Sequence, residues 1–599
     1  MKNILPFLLC GFLLSSLVHG QDFFKSTKFF APERNIGDFL GSTVAIDGDY
    51  AIAGSSLHDL DPQEGDSLAN AGAAFIYERD MNGDWQFVQK IVPSDRMPND
   101  RFGFNVDIEG NYAIVGAPNK SQAGLNGVGA AYVFERNGQG VWQEVADLFH
   151  ANFETFDNFG SAVILRGDTA MISCTFEDVN MIRDAGAVYV ANRNMQGGWS
   201  VNQRLTASDP TRNANFGSAV DIEGGTAIIG AWRLPNATGG TNDASAGGAY
   251  VFTFDQMSQN WTQSQKLLPD TADWIGGDLF GGSVAIEGDF IFVAADGDDN
   301  DEANLNPIFD AGSIHIFRKN MQGSWEETQK INAGDREEEA FFGQRIGTSG
   351  NRLVVGAPGE WESVFFPDSI NDAGAIYLFE KDNMDQWIQV QKIVAPDREA
   401  TDFYGFSTAI SGDFIIVGAQ AEDTDEGGAD STANAGAVYF VEPCSLDTAI
   451  STVPGGIEAD LADATYQWFA CGIENTLLEG ATNKIFLPTQ SGDYGVLLSK
   501  DGCTLPTACQ NFMTTRVRPT WEATIRLYPN PVVDLLNMTS EFTWSDVSVT
   551  IVDTKGKVIW YQTYRDWQNS QVDVSDWVGG AYIVRIETPT GTWSQPFLK

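Results

Sequence analysis

Carboxylate is the densest chemistry in this 599-residue chain. One stretch, Asp296-Gly297-Asp298-Asp299-Asn300-Asp301-Glu302, gathers acids and an amide within a single short segment. Asp296, Asp298, Asn300, Asp301 and Glu302 are therefore candidate metal ligands, because Ca2+ is a hard ion that takes about six to eight oxygens. The stretch lacks the full spacing of an EF-hand loop. Further acids collect in other loops: Asp59 and Asp61 with Glu64 and Asp66, Glu360 with Glu362 and Asp368, and Glu422, Asp423, Asp425 and Glu426 together. Of these, Asp59, Asp61, Glu360, Asp423 and Asp425 are the candidate ligand-binding residues, since clustered carboxylates attract a cation or a basic ligand. The alternative is a solvated acidic loop set that keeps the chain soluble.

Other chemistry is scarce. The four histidines are His19, His58, His150 and His315, few enough to limit general bases and to argue against a multi-histidine zinc centre. No Ser-His, His-Glu or paired catalytic carboxylate motif stands out, so the expectation is a protein that is not an enzyme. The formal charge of -45, from 36 basic and 81 acidic residues, argues against a nucleic-acid partner, which needs a basic surface. Cys174 stands alone, whereas Cys444, Cys471, Cys503 and Cys509 cluster. In an exported chain the cluster reads as two disulfides, with three connectivities open. Export is suggested by Lys2 followed by an apolar run from Ile4 to Val18 and then Gly20, the order of a signal peptide over 1–20. No later run of about 18 apolar residues occurs, so no transmembrane segment is expected in the mature chain.

The elements that must position these residues come from a repeat. Blocks opening as DFLGSTVAIDGDYAIAG, RFGFNVDIEGNYAIVGAP or FYGFSTAISGDFIIVGA recur seven times, anchored by Gly41, Gly103, Gly160, Gly217, Gly281, Gly343 and Gly405. Alternating apolar residues and Gly-Asp or Asn-Gly turns make each block four short antiparallel strands, and a period near 60 residues suggests a β-propeller blade. The seventh block lacks its last, Trp-containing strand. Residues 23–34, FFKSTKFFAPER, match the pattern WIQVQKIVAPDR of block six, with Lys28 on Lys392. An N-terminal strand closing the last blade predicts a seven-bladed ring over 21–443. On such a ring the long second-to-third connections share one face, where blocks five, six, seven and one place their acids in a crescent.

Phe102-Gly103 with Gly116-Ala117-Pro118, and Phe342-Gly343 with Gly356-Ala357-Pro358, resemble FG-GAP repeats, the units of the integrin α-subunit propeller. That family often carries a calcium loop between its first two strands, but here tight turns such as Asp47-Gly48-Asp49 occupy the place, so that site is not carried over. Residues 444–519, with Trp468 close to Cys471, resemble a small disulfide-containing immunoglobulin-like β-sandwich. Residues 520–599 contain Tyr528-Pro529-Asn530-Pro531 and Gly580-Ala581-Tyr582 and resemble the small β-sandwich C-terminal sorting domain of type IX secretion cargo. The resemblance implies the type IX secretion machinery as a partner and a secreted or outer-surface location.

The fold expectation is thus all-β throughout. The functional expectation is adhesion or binding of an extracellular protein or polysaccharide through the long-loop rim. A structural surface component without a discrete ligand is the alternative, and a propeller hydrolase or lyase a further one. Three repeat features read as packing. His315 takes the place of Phe75, Tyr132 and Tyr377; Asp95-Arg96, Asp335-Arg336 and Asp397-Arg398 fall at blade junctions; and Trp85, Trp142, Trp199, Trp261, Trp325 and Trp387 open the fourth strands.

Overall fold

The computed structural model describes residues 23–599 apart from 63–64, 66, 152, 237–244, 270–273, 304, 362–368, 425–430, 445, 447, 454, 473–474, 479, 501–502, 514–524 and 590. The expected signal peptide therefore lies outside the described residues. Among those described, every regular element is a β-strand.

Each repeat folds into a four-stranded antiparallel sheet. In the first, Thr43–Asp47, Tyr50–Ser55, Ala73–Arg79 and Trp85–Ile91 pair in chain order. Five more sheets of the same order begin at Val106, Phe159, Val220, Val284 and Ile346. The seventh set takes Tyr404–Ser411, Phe414–Ala419 and Ala437–Cys444, and Phe23–Phe29 supplies its fourth strand. Lys28 faces Tyr439 in that ladder as Lys392 faces Tyr377 in the sixth, which is the register the sequence comparison requires.

Burial explains the strand patterns. Inner strands are covered on both faces by neighbouring sheets, so Phe290–Ala295 is buried at all six positions. Outer strands meet solvent on one face and alternate, as Trp199–Leu205 does. The cores lie between sheets. Phe29, Ile46, Ala53, Tyr77, Trp85, Ile416, Val438 and Phe440 form one cluster joining the first and seventh sets, and Trp85 stacks on Phe440 at 4.2 Å. Leu40 also bridges Gly436 in parallel, so both ends of the repeat array are tied together.

The anchoring glycines sit where another residue would clash. Gly103 has φ +85°, and a Cβ there would lie 2.2 Å from the Ala73 carbonyl oxygen.

The chain forms two compact units. The first runs to Ser451 and adds 458–486 and 494–510; the second comprises 452–457, 487–493 and 511–599. In the first, Lys25 bridges Cys503 beyond the last sheet, and buried Trp468 stacks on Phe486 at 5.3 Å. Cys471 is bonded to Cys509. Cys503 is disulfide-bonded as well, while the side chain of Cys444 lies outside the described residues. In the second unit, Leu535–Asp553 pairs with Val558–Asp573 on one edge and with Ile525–Tyr528 and Ala581–Thr588 on the other. Leu536, Val549, Ile551, Trp567 and Val584 fill its core.

Candidate functional site: the axial mouth

The loop acids divide into two kinds. Glu360 is fully buried. Its carboxylate lies 2.8 Å from Lys392 Nζ and 2.7 Å from the Tyr377 hydroxyl, and Lys392 also reaches Asp335 at 2.7 Å. Glu422 and Asp397 make the same arrangement with Lys28, at 3.0 and 2.7 Å, and with Tyr439. The acid comes from the second-to-third connection, the lysine from the fourth strand, and the aspartate from the junction with the preceding sheet. Burial pulls the Lys392 ammonium down, but Glu360 and Asp335 outweigh it and raise it overall. Glu360 is thus a component of a buried ion pair.

Its neighbours in the expected rim are tied into the loops. Asp59 accepts from Asn70 N at 2.7 Å and Asp423 from Asn434 N at 2.6 Å. Their carbonyls accept Arg96 and Arg34. Asp61 accepts from Gly65 N, and Asp425 lies outside the described residues. In the Asp-Arg pairs the aspartate therefore ties the junction to a lysine and tyrosine of the following sheet, and the arginine braces a loop carbonyl.

The calcium candidates face different ways. Asp298 is 1% exposed and bound to Lys330 at 2.7 Å and Ser313 at 2.6 Å. Asn300 donates its N–H to Asp298 and gives its carbonyl to Asn332. Asp301 accepts from Ala303 N, Leu305 N and the Asn306 amide, and Glu302 is exposed. Asp296 turns to the axis instead. The structure does not gather these five around one point. Among the described residues, three ligand-type atoms lying within 4.8 Å of one another occur elsewhere, at His150, Asp157 and Cys174. His315, as expected of a packing residue, is buried, with Nδ1 2.7 Å from Glu327.

A cavity of about 880 Å³ opens on the ring axis, lined by residues of all seven repeats. Its wall follows from the repeat: the residue after each anchoring glycine faces the axis. Ser42, Ser161, Ser218 and Gly282 are small there, whereas Phe104, Gln344 and Phe406 are not. Phe176 and Trp232 add aromatic surface from the second-to-third connections, and Phe104 and Phe176 are 40% and 38% exposed. Arg345 stands where the sister repeats have Thr43, Asn105, Ala162, Ala219, Ser283 and Ser407. Burial lowers its guanidinium, opposed by Asp296, whose own carboxyl burial pushes up to about 6.

A narrower passage of about 200 Å³ shares Asn105, Ser218, Gly282 and Arg345 with the mouth. Arg166, also lining it, lies 2.9 Å from Asp107 and 3.5 Å from Asp221. Burial pushes the Asp107 carboxyl to about 6 although Arg166 opposes it. The signal for all these residues was a departure from the repeat at axis-facing positions, and it was masked by the far denser acidic loops.

Comparison with known proteins fits this architecture. The model of the FG-GAP repeat matches residues 85–134, 199–252, 261–317, 325–379 and 387–441. Each match spans the fourth strand of one sheet and the first three strands of the next. Residues 526–599 match the secretion system C-terminal sorting domain. The chain is an FG-GAP repeat protein that ends in a type IX sorting domain. That domain marks it for export to the cell surface or beyond and makes the type IX machinery its partner. No helix among the described residues is long and apolar enough to cross a membrane. No curated protein matches significantly. A solved structure of a protein from Lactobacillus plantarum, 12% identical, aligns over 60% of this chain and 86% of that one with a TM-score of 0.37. That score carries no argument; the fold rests on the strand ladders.

Proposed function

We propose that this is a secreted or surface-held binding protein that takes an extracellular polysaccharide into its axial mouth. The observation that carries the reading is the lining. Exposed aromatic faces at Phe104 and Phe176 stand among serine, asparagine and glutamine side chains and two arginines, Arg101 and Arg345. Sugar C–H faces pack on aromatic rings, and amides, hydroxyls and guanidinium groups pair with sugar hydroxyls. This reading puts the binding site at the axis, beside the second-to-third connections, rather than at the loop acids.

Turnover is less well supported. Glycoside hydrolysis ordinarily uses two carboxylates across the scissile bond, and the mouth offers Asp296 as its one carboxylate and no histidine, cysteine or lysine among the described lining residues.

The test is a glycan and matrix-protein array probed with the full chain, in calcium and again in chelator. Phe104→Ser and Arg345→Thr import residues that sister repeats already carry, so the ring should tolerate them. We expect each to weaken glycan binding by about tenfold or more. Undiminished binding by both variants would remove the mouth from the account. Binding to glycans lost only in chelator would return the loop acids to it, and binding to matrix proteins alone would replace the polysaccharide.

A further inference from the structure

The third repeat departs from its sisters at two buried positions. Ten residues before the anchoring glycine it has His150, where others have Ala31, Pro93, Ala207, Ala333 and Ala395. At the end of its second strand it has Cys174, where others have Ser55, Ala117, Ala231, Ala295, Ala357 and Ala419. The FG-GAP matches pass over residues 135–198, which contain both.

The two side chains meet. Cys174 Sγ lies 3.8 Å from His150 Nε2, and Asp157 Oδ2 lies 3.5 Å from the same nitrogen. The three residues are 0%, 2% and 3% exposed in the order Cys174, His150 and Asp157. A tetrahedral zinc with bonds of about 2.0–2.3 Å to N, O and S has ligand–ligand edges of about 3.4–3.6 Å, so the set needs to close only slightly. His150 Nδ1 is 3.1 Å from the Tyr189 hydroxyl, the outer partner that orients a ligating imidazole.

Glu177 lies beside the thiol. Glu177 is 8% exposed, and its Oε1 pairs with Arg204 at 2.7 Å. Glu177 bears on the thiol itself: burial first, then Glu177 and Asp157, push Cys174 well above the ordinary thiol range. One carboxylate and a thiol thus crowd an imidazole, and Arg204 pairs with Glu177 at the edge. In the second repeat Lys120 balances Asp100, the counterpart of Asp157, at 3.0 Å. The third repeat has Glu177 at the position of Lys120 and sets His150 against Asp157 instead, at 3.5 Å.

We propose that His150, Asp157 and Cys174, with Glu177 beside the thiol, form a site for a zinc-class divalent ion that fastens the second sheet to the third. On binding, the Cys174 thiol proton leaves to solvent and a sulfur–metal bond forms.

The test uses the full chain, stripped with chelator and then given Zn2+ or Co2+. We expect one ion per chain by mass spectrometry, and with Co2+ a sulfur-to-metal charge-transfer band together with tetrahedral visible bands. Cys174→Ala and His150→Ala import residues of sister repeats; each should keep the strand signal in circular dichroism, lose the charge-transfer band, and lose the rise in Tm that Zn2+ gives the unaltered chain. No stoichiometric uptake, a cobalt spectrum without the thiolate band, or equal uptake by the double variant would each overturn the proposal. Should the variants fail to fold, the cobalt spectrum of the unaltered chain decides alone.

Discussion

Replacing Lys392 with methionine is the most direct probe of how the ring is held together. Lys392 Nζ joins Glu360 at 2.8 Å and Asp335 at 2.7 Å, and the Glu360 side chain has no exposure at all. The variant keeps the apolar stem but leaves Glu360 buried without its lysine counter-charge, beside the Tyr377 hydroxyl. Orphaning one partner of a buried pair costs about 3–5 kcal/mol, whereas replacing both partners with apolar residues is often near neutral. The fourth repeat has already made the second change at the acid. Leu234, buried, stands in the place of Glu360, and the pair left there, Lys266 with Asp209, is more exposed. Lys392→Met should therefore lower the Tm of the ring sharply, and Lys392→Met with Glu360→Leu should recover most of the loss. Thermal unfolding followed by tryptophan fluorescence reads both, the aromatic clusters lying between sheets. A single variant within about 1 kcal/mol of the parent, or a double variant as unstable as the single, would refute the idea that these acids are structural.

Three further outcomes test the frame. Asp402 is buried and pushed up to about 7, by burial first and by Glu422 next; its folded form binds a proton that the unfolded chain releases near pH 4, so its contribution falls as pH rises from about 4 to 7. Asp402→Asn should flatten the fall in Tm between pH 5 and pH 8, and an unchanged slope would count against the shift. Gln329 brackets the Trp387 backbone, donating to its carbonyl at 2.8 Å and accepting from its N–H at 2.9 Å, so Gln329→Ala should cost about 1–3 kcal/mol by chemical denaturation. Gly103→Ala forces a Cβ onto the Ala73 carbonyl at positive φ and should cost about 1–3 kcal/mol or more in the same assay.

The repeat was legible because a propeller imposes one set of demands at every sheet. The glycine at each anchor, the buried inner strands and the tryptophan at the start of six of the seven fourth strands recur in register. Even the borrowed strand Phe23–Phe29 could be placed, since Lys28 carries the mark of the fourth-strand lysine. The site was harder for a related reason. Glu360, Glu422 and Asp298 read as exposed because they sit in long polar loops, yet each lies opposite a lysine some thirty residues later or, for Glu422, at the far end of the chain. Composition reports the loop; burial depends on what the fourth strand brings across from it. The glutamine of the Trp-Gln-Lys strand was equally visible and equally mute, because its partner is the tryptophan backbone of the next sheet.

The same demands say where departures from the repeat carry meaning. A position facing the axis has no neighbour to fit, so Phe104 and Arg345 enter the mouth at little packing cost, and their identity is free to follow a ligand. His150 and Cys174 are different, since they occupy closely packed positions that other repeats fill mostly with alanine. Polar groups buried at such positions destabilise the fold unless a partner satisfies them. His150 has Tyr189, and Cys174 has the Asp157 carbonyl at 3.3 Å, but the Asp157 carboxylate facing His150 at 3.5 Å has, among the described residues, no lysine such as the one that serves Asp100. A cation at that point satisfies the carboxylate oxygen, the imidazole lone pair and the thiolate at once, which no neutral side chain of a sister repeat can do.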